Sequence, residues 1–175
     1  MLISKLPPGQ NYSSYLAASY VQWVQAGGAR AVPIIIGKDE QHYRELFSSL
    51  NGVLLPGGSA PLTGAGGYAE VGELFYHLAK EANDAGDSFP IWGTCNGFEL
   101  LTVLSSKDHS RLTDCDSQDD AVPLNFLPKW EESDIFSSVR NSHDVSILII
   151  IPRLLQMLSE RLLRRKLQST STIIV

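Results

Sequence analysis

The chain has 175 residues, which is enough for one ordinary domain and too few for two. Hydrophobic residues make up 43% of it and charged residues 19%, a composition typical of a globular protein with a core. The net charge of -5, with no basic patch interleaved with aromatic residues in the first three quarters, excludes the usual nucleic-acid-binding classes. No run approaches the ~20 apolar residues of a membrane-spanning helix, so we expect no membrane span.

Predicted helices and strands alternate from the start of the chain. We expect Asn11 or Ser13 to cap a first helix that ends at Gly27. Its apolar face is formed by Leu16, Tyr20, Trp23 and Val24. Residues 31–36 predict a buried strand, and Asp39 is expected to cap a second helix. The apolar face of that helix is formed by Tyr43, Leu46, Phe47 and Leu50.

The alternation continues through the middle of the chain. Residues 53–55 predict a second strand, which ends at the loop Pro56-Gly57-Gly58. A third helix stops at Gly86, and its apolar face is formed by Val71, Leu74, Phe75, Leu78 and Ala82. Residues 89–92 predict a third strand, and residues 98–104 a fourth helix. This order predicts an α/β three-layer sandwich with a mostly parallel sheet.

The composition changes near residue 140. Residues 140–175 contain six of the 14 basic side chains but only two of the 19 acidic ones. We therefore predict a domain over 1–139 and a divergent tail over 140–175. Before this boundary, residues 121–126 are predicted as an edge strand. Within the tail, residues 145–151 predict a strand, followed by a basic amphipathic helix. The leucines on one face of that helix are Leu154, Leu155, Leu158, Leu162 and Leu163.

The segment Gly93-Thr94-Cys95-Asn96-Gly97 lies between a predicted strand and a predicted helix. This is the context of a nucleophile elbow, a sharp turn that holds a reactive side chain above a sheet. Glycines on either side remove Cβ atoms that would obstruct such a turn. The positive end of the helix dipole favours the thiolate form of Cys95. Because the loop Pro56-Gly57-Gly58 also follows a strand, both loops should line one crevice at the carboxyl ends of the strands.

Other titratable residues have simpler interpretations. A buried core cysteine is the structural alternative for Cys95, and Cys115 is interpreted as an incidental free thiol. His42 and His77 lie on predicted helices and are interpreted as surface residues. His109 and His143 lie in predicted loops, and no motif supports either as a catalytic base. The acidic loop formed by Asp114, Asp116, Asp119 and Asp120 lacks the pattern of a calcium loop, and we predict neither a metal nor a cofactor.

Several segments together resemble the gamma-glutamyl hydrolase family over roughly residues 10–136. The motifs that carry the resemblance are residues 11–21, 26–33, 50–58, 89–99 and 122–126. The resemblance implies a class I glutamine amidotransferase-like (flavodoxin-like) fold. It also implies a lysosomal or secreted cysteine peptidase that removes γ-linked glutamates from folylpoly-γ-glutamates and antifolate polyglutamates.

The resemblance also implies roles for individual residues. Cys95 is the nucleophile that forms the acyl-enzyme. The backbone N–H groups of Asn96 and of Gly58 form the oxyanion hole. Glu99, one turn after Cys95, either contacts the substrate amine or supports the elbow.

Three features of the family pattern are missing from the sequence. These are the first strand with its preceding signal peptide, a His-Pro-Glu motif that carries the catalytic histidine, and an Asn-Phe-His segment that carries a substrate-side histidine. We therefore expect an incomplete fold, a truncated or alternatively spliced product with a foreign tail, and a cytoplasmic location for the chain as written.

Two hypotheses of function follow. In the first, the chain is a γ-glutamyl hydrolase that works through Cys95 and is impaired because the catalytic histidine is missing. In the second, it is a catalytically inactive fragment that binds folate polyglutamate or a full-length subunit. A homodimer is a further expectation.

Overall fold

The computed structural model describes residues 15–65, 67–114, 128–132 and 173–174 of the chain. Within these ranges it contains four α-helices, four short β-strands and two 3-10 turns. The helices are α1 (Ala18–Ala26), α2 (Glu40–Ser48), α3 (Tyr68–Asp84) and α4 (Asn96–Ser106). The strands are β1 (Ala31–Val32), β2 (Val53–Leu55), β3 (Ile91–Gly93) and β4 (Ile173–Ile174). The 3-10 turns are His109–Arg111 and Trp130–Glu132.

The four strands form one parallel sheet in the order β1-β4-β2-β3. β2 and β3 pair over their whole length, with Leu55 opposite Gly93 at their carboxyl ends. Parallel neighbours joined by helical crossovers are typical of α/β proteins, so the predicted α/β class is confirmed. The paired ends of β2 and β3 bring the two loops that follow them to the same edge of the sheet.

The buried side chains of β2 point into two separate clusters. Val53 and Leu55 belong to the main core, which includes Phe75 of α3 and Leu100 of α4. Leu54, on the opposite face, packs in a second cluster that contains residues of α1. Because successive strand residues face opposite sides of a sheet, helices cover both of its faces.

Aromatic rings fill much of both clusters. In the main core, Phe47 stacks on Phe89 with ring centroids 4.1 Å apart, and Phe75, which is fully buried, lies 6.0 Å from Phe47. In the second cluster, Trp23 of α1 lies 6.0 Å from Trp92 of β3. These contacts fix α1, α2 and α3 against the sheet and so position the edge where the site lies.

The helix boundaries confirm some predictions and correct others. Asp39 caps α2 as expected, because its side chain accepts a hydrogen bond from the His42 N–H. The prediction that Asn11 or Ser13 caps the first helix is wrong, since α1 begins at Ala18 with Ala17 in the cap position. The helices α3 and α4 each begin earlier than the apolar pattern indicated.

Two strands are shorter than their apolar runs predicted. β1 ends at Val32, because Pro33 has no N–H for a ladder and the Ile35 carbonyl accepts a hydrogen bond from Tyr43 Oη at 3.0 Å. β3 begins at Ile91, because the side chain of Asn83 bonds both the N–H and the carbonyl of Phe89 at 2.9 and 2.8 Å. In both cases a polar side chain binds the backbone group that a strand would use.

Several predicted features lie outside the described residues. They are the strands over 121–126 and 145–151, the basic helix over 154–163, Cys115 and His143. The boundary between 1–139 and 140–175 stays a prediction. β4 has no counterpart among the predicted strands. Among the described residues, no helix is both long and apolar enough to cross a membrane.

Candidate active site

Cys95 occupies a strained turn between β3 and α4. Its backbone has φ 51° and ψ -117°, a combination that residues with a side chain rarely adopt. Such a conformation costs on the order of 1–3 kcal/mol and persists only where surrounding packing holds it. The side chain is exposed, and α4 begins at the next residue. The predicted strand, sharp turn and helix are therefore present, and the interpretation of Cys95 as a buried core cysteine is wrong.

The glycines around Cys95 are required by close contacts. A Cβ on Gly93 would lie 2.5 Å from the Gly97 carbonyl oxygen. A Cβ on Gly97 would overlap the carbonyl oxygen of Leu55 at the end of β2. Since real Cβ atoms do not approach backbone atoms so closely, only glycine allows α4 to begin directly against both strands.

The loop Pro56-Gly57-Gly58 runs directly beside Cys95. A Cβ built on Gly57 would lie 3.0 Å from the Cβ of Cys95. The Thr94 N–H donates to the Leu55 carbonyl at 2.9 Å, which joins the two segments just before the site. The two loops therefore lie side by side at the carboxyl ends of β2 and β3, and the predicted crevice between them stays a prediction.

Two tyrosine hydroxyls bond the same loop. The Gly57 N–H donates to Tyr20 Oη at 2.9 Å, and Tyr68 Oη donates to the Pro56 carbonyl at 3.0 Å. Burial, with smaller contributions from the negative charges of Tyr20 and Cys95, holds the pKa of Tyr68 well above its ordinary value. Tyr68 therefore remains a hydrogen-bond donor at neutral pH.

Neither tyrosine is among the predicted site residues. The apolar pattern predicts Tyr20 on the buried face of the first helix, and Tyr68 lies before the first residue of the pattern that predicts the third helix. One sequence signal could have identified them, because a tyrosine buried at the end of a helix needs a hydrogen-bond partner for its hydroxyl group. A glycine-rich loop after a strand offers such partners.

Asn96 joins the start of α4 to the loop after β2. Its side chain is buried, and Nδ2 donates to the Ala60 carbonyl at 3.0 Å. This bond fixes the side chain of Asn96 toward the loop after β2, while the predicted oxyanion role concerns its backbone N–H. Among the described residues, the N–H groups of Asn96 and Gly58 donate no backbone hydrogen bond of the kind found in turns, loops and helix caps.

Glu99 lies in the first turn of α4 and is exposed. Its backbone N–H donates to the Cys95 carbonyl at 2.9 Å, so its main chain helps to close the turn. No ion pair involves its carboxylate in the part of the chain that the structure describes. The choice between substrate contact and structural support stays open on this geometry.

No described histidine has a contact with Cys95 that could make it a catalytic base. His42, His77 and His109 are all exposed, and none has a hydrogen bond, ion pair or ring contact with Cys95 in the described ranges. His77 lies 3.8 Å from Glu73 on α3 and, with His109, lines a cavity of about 710 Å³ between α3 and α4. Cys95 does not line that cavity. The described residues also contain no group of three or more side chains suited to hold a metal ion.

Part of the chain is similar to known proteins. Residues 4–114 match the model of the family described as Peptidase C26. Gamma-glutamyl hydrolase from Mus musculus is 48% identical over 122 residues, which cover 70% of this chain and 38% of the relative. The Homo sapiens protein of that name is 48% identical over 130 residues, covering 74% and 40%. Gamma-glutamyl hydrolase 1 from Arabidopsis thaliana is 38% identical over 115 residues, covering 66% and 32%.

The chain thus spans well under half the length of the curated relatives it matches. The matched region contains the complete turn at Cys95, the loop after β2 and both tyrosines. Because the family model covers more than half of the chain, these residues can be placed in a known family. The chain belongs to the peptidase C26 family.

Proposed function

We propose that the chain is a cysteine hydrolase of γ-glutamyl amide bonds that forms an acyl-enzyme at Cys95. The observation that carries this proposal is the strained, exposed turn of Cys95 at the start of α4. An exposed cysteine in a sparsely populated backbone conformation is an arrangement typical of nucleophiles. The similarity to gamma-glutamyl hydrolases supports the γ-glutamyl bond as the bond that is cleaved.

In the proposed reaction the sulfur of Cys95 attacks the γ-carbonyl carbon of the substrate. A C–S bond forms, and the negative charge develops on the carbonyl oxygen. When this intermediate collapses, the C–N bond breaks and the leaving amine takes up the proton that the Cys95 thiol gave up on attack, carried by solvent water. Water then attacks the thioester, which releases the glutamyl product and restores the thiol.

The N–H groups of Asn96 and Gly58 are proposed to stabilise the oxyanion. The hydrogen bonds of the neighbouring groups support this assignment, because the Gly57 N–H is bonded to Tyr20 and the Asn96 side chain to Ala60. A donor placed to meet the developing charge is worth about 2.7–4 kcal/mol of transition-state stabilisation. Glu99 is proposed to contact the substrate amine, since it is the exposed acid in the first turn of α4.

The second candidate is a catalytically inactive fragment that binds folate polyglutamate or a full-length subunit. It is favoured by the lack of a general acid beside Cys95 in the described residues, since the leaving amine needs a proton from such a group. None of the described histidines contacts Cys95, and the sequence has no His-Pro-Glu motif. For the same reason we propose that any hydrolysis by this chain is impaired at the step that expels the amine.

The substrate class, compartment and assembly complete the proposal. Folylpoly-γ-glutamates are the proposed substrates, and a lysosomal or secreted location is proposed by analogy with the gamma-glutamyl hydrolases. A homodimer is proposed as the assembly. These three statements rest on the family resemblance and not on a contact in the structure.

Hydrolysis of a folate that carries several γ-linked glutamates tests the two candidates directly. Products of the purified chain are separated by liquid chromatography and identified by mass spectrometry. We expect slow release of γ-linked glutamate that falls at least a hundredfold in Cys95→Ala, because the nucleophile is lost. Turnover that persists in Cys95→Ala would overturn the hydrolase proposal. Calorimetric binding of the same compound by a folded chain without turnover would favour the inactive fragment.

A further inference from the structure

The peptide unit between Pro56 and Gly57 is bonded at both of its polar ends by tyrosine hydroxyls. Tyr68 Oη donates to the Pro56 carbonyl at 3.0 Å, and the Gly57 N–H donates to Tyr20 Oη at 2.9 Å. The carbonyl and N–H of a trans peptide unit point in opposite directions within one plane. The described chain has no cis peptide bond. The two hydroxyls therefore bind this unit from opposite sides and fix the orientation of its plane.

The two tyrosines belong to different helices on either side of the loop. Tyr20 lies in α1, and Tyr68 is the first residue of α3. Tyr68 is 2% exposed, so its ring is held by the core and its hydroxyl has little freedom to move. The raised pKa of Tyr68 keeps it protonated, as the bond to the Pro56 carbonyl requires.

The loop needs such external bonds because it contains two consecutive glycines. Glycine adopts many backbone conformations, so Gly57 and Gly58 would otherwise let their peptide units rotate. A stiffer residue at Gly57 would displace one of its neighbours, since a Cβ there would lie 2.9 Å from Tyr20 Oη and 3.0 Å from the Cβ of Cys95. The close approach of the loop to Cys95 thus requires a flexible sequence that other residues must hold in place.

We propose that Tyr20 and Tyr68 form a tyrosine clamp, two positioning residues that fix the Pro56–Gly57 peptide unit and thereby direct the Gly58 N–H toward the oxyanion at Cys95. The clamp acts through the backbone, and neither hydroxyl has to touch the reacting carbonyl for it to work. This inference rests on the proposed function, because the Gly58 N–H has a catalytic role only if Cys95 forms an acyl-enzyme. The fixation of the loop can nevertheless be measured without any reaction.

Amide hydrogen exchange followed by NMR measures the fixation itself. The variant Tyr68→Phe removes the bond to Pro56 but leaves the acceptor of the Gly57 N–H in place. If the two hydroxyls hold one peptide unit, exchange of the Gly57 amide should accelerate on the order of tenfold in this variant. Exchange of amides in the core of α3, such as that of Phe75, should not accelerate with it.

The catalytic consequence is measured by comparing two reactions of Cys95. Acylation by p-nitrophenyl acetate forms a C–S bond, expels p-nitrophenolate and passes through an oxyanion. The expelled phenolate needs no proton from a histidine. Alkylation by iodoacetamide also forms a C–S bond, with loss of iodide, but generates no oxyanion. We expect Tyr68→Phe to lower the acylation rate on the order of ten- to a hundredfold while the alkylation rate changes little. Rates measured in Cys95→Ala are subtracted as background.

Tyr43→Phe is the matched control. Tyr43 is also buried, and its hydroxyl donates to a backbone carbonyl, that of Ile35, at 3.0 Å. It lies outside the loop, so Tyr43→Phe should leave the ratio of acylation to alkylation unchanged. Tyr20→Phe is the second test variant, for use if Tyr68→Phe does not fold, and it should lower the same ratio. In the double variant of Tyr20 and Tyr68 the effects should be less than additive, because one peptide unit is held by both.

The exchange and acylation measurements distinguish failure of the tyrosine clamp from failure of the proposed hydrolase function. Gly57 exchange in Tyr68→Phe that matches Tyr43→Phe would overturn the clamp. An unchanged ratio of acylation to alkylation in both tyrosine variants would also overturn it. Accelerated Gly57 exchange in a chain whose Cys95 is alkylated but never acylated would support the clamp and overturn the hydrolase proposal.

Discussion

The two halves of the sheet are built in different ways. On one side, β2 and β3 pair over three residues each, and all of Val53–Leu55 is buried. On the other side, β1 has two half-buried residues and pairs with β4, which comes from the far end of the chain. We call these the elbow side (residues 53–60 and 91–106) and the β1 side (residues 31–32 and 173–174).

The difference shows where the candidate site gets its rigidity. The elbow side is assembled from two consecutive strands and the segments that follow them, and two of its glycines, Gly93 and Gly97, allow backbone-to-backbone contact. The β1 side depends on pairing between segments that are distant in sequence, which form only after a large loss of chain entropy. We therefore expect disruptive substitutions on the elbow side to abolish the site. Disruptive substitutions on the β1 side should lower the free energy of unfolding and leave the site intact.

The largest effect is expected from Gly97→Ala. The new Cβ would overlap the carbonyl oxygen of Leu55, a backbone atom that cannot turn aside as a side chain can. We expect the free energy of unfolding to fall by about 3 kcal/mol or more, or the chain not to fold. Urea denaturation followed by circular dichroism measures the change.

Gly67→Ala is the control for this substitution. A Cβ on Gly67 would meet no atom within 4 Å, and its φ of -115° suits any residue. Because Gly67 is also the N-cap of α3, where alanine is less favourable than glycine, we expect a loss of no more than about 1 kcal/mol. If Gly97→Ala were as mild as this control, the close packing of the elbow side would not be what holds α4 against the strands.

A smaller effect is expected from Ile174→Pro, which addresses the β1 side. Ile174 pairs with both Val32 and Val53, so it lies in the interior of the sheet. Proline has no N–H and removes a ladder hydrogen bond, which should cost about 1–3 kcal/mol of stability. Under native conditions the alkylation rate of Cys95 should not change, because β2, β3 and α4 keep their contacts with one another even though β2 loses its pairing with β4. Denaturation curves and iodoacetamide rates on the same samples test both parts.

Thr113→Pro is the matched control, since Thr113 is exposed, lies outside the helices and strands, and follows the extended residue Leu112. It should change stability by no more than about 0.5 kcal/mol. A severalfold change in Cys95 alkylation in Ile174→Pro would contradict the independence of the two sides. Loss of stability no greater than in the control would show that β1 does not need β4.

The sequence predicted the elbow side well because local chemistry determines it. The turn at Cys95 needs glycines at fixed spacing, and the helix that follows needs only its own apolar face. The cap of α2 by Asp39 is local in the same sense, since it joins residues only three positions apart in the sequence. Each of these features is specified within one turn or one strand.

The features that the sequence analysis missed depend on contacts between distant segments. β4 pairs with strands far away in sequence, and nothing in Ile173–Ile174 indicates the strand it will join. The hydroxyls of Tyr20 and Tyr68 reach the loop only after α1 and α3 pack on the sheet. The early end of β1 depends in part on Pro33, which is a local signal, and in part on the bond between Tyr43 and Ile35, which requires a packed helix.

The smallest effect concerns Tyr68 and the pH dependence of stability. An ordinary tyrosine ionises near pH 10, whereas burial raises the pKa of Tyr68 above that value. The unfolded chain therefore loses this proton first as the pH rises. The stabilisation is complete below pH 10 and is lost as the pH rises from about 10 toward the higher pKa of the folded state, by up to about 1.4 kcal/mol per pH unit.

Tyr68→Phe has no such proton, so its stability should fall less steeply than that of the wild type above pH 10. Below pH 9, residue 68 should not change the free energy of unfolding with pH in either protein. The two free energies should then differ only by the constant cost of losing the hydroxyl. Tyr43→Phe retains Tyr68 and should keep the steeper fall. Urea denaturation at half-unit steps from pH 8 to pH 11 measures all three slopes. If the free energies of unfolding of wild type and Tyr68→Phe fell in parallel above pH 10, water would have to reach the hydroxyl beside Pro56. The elbow side would then be less tightly packed around its loop than around α4.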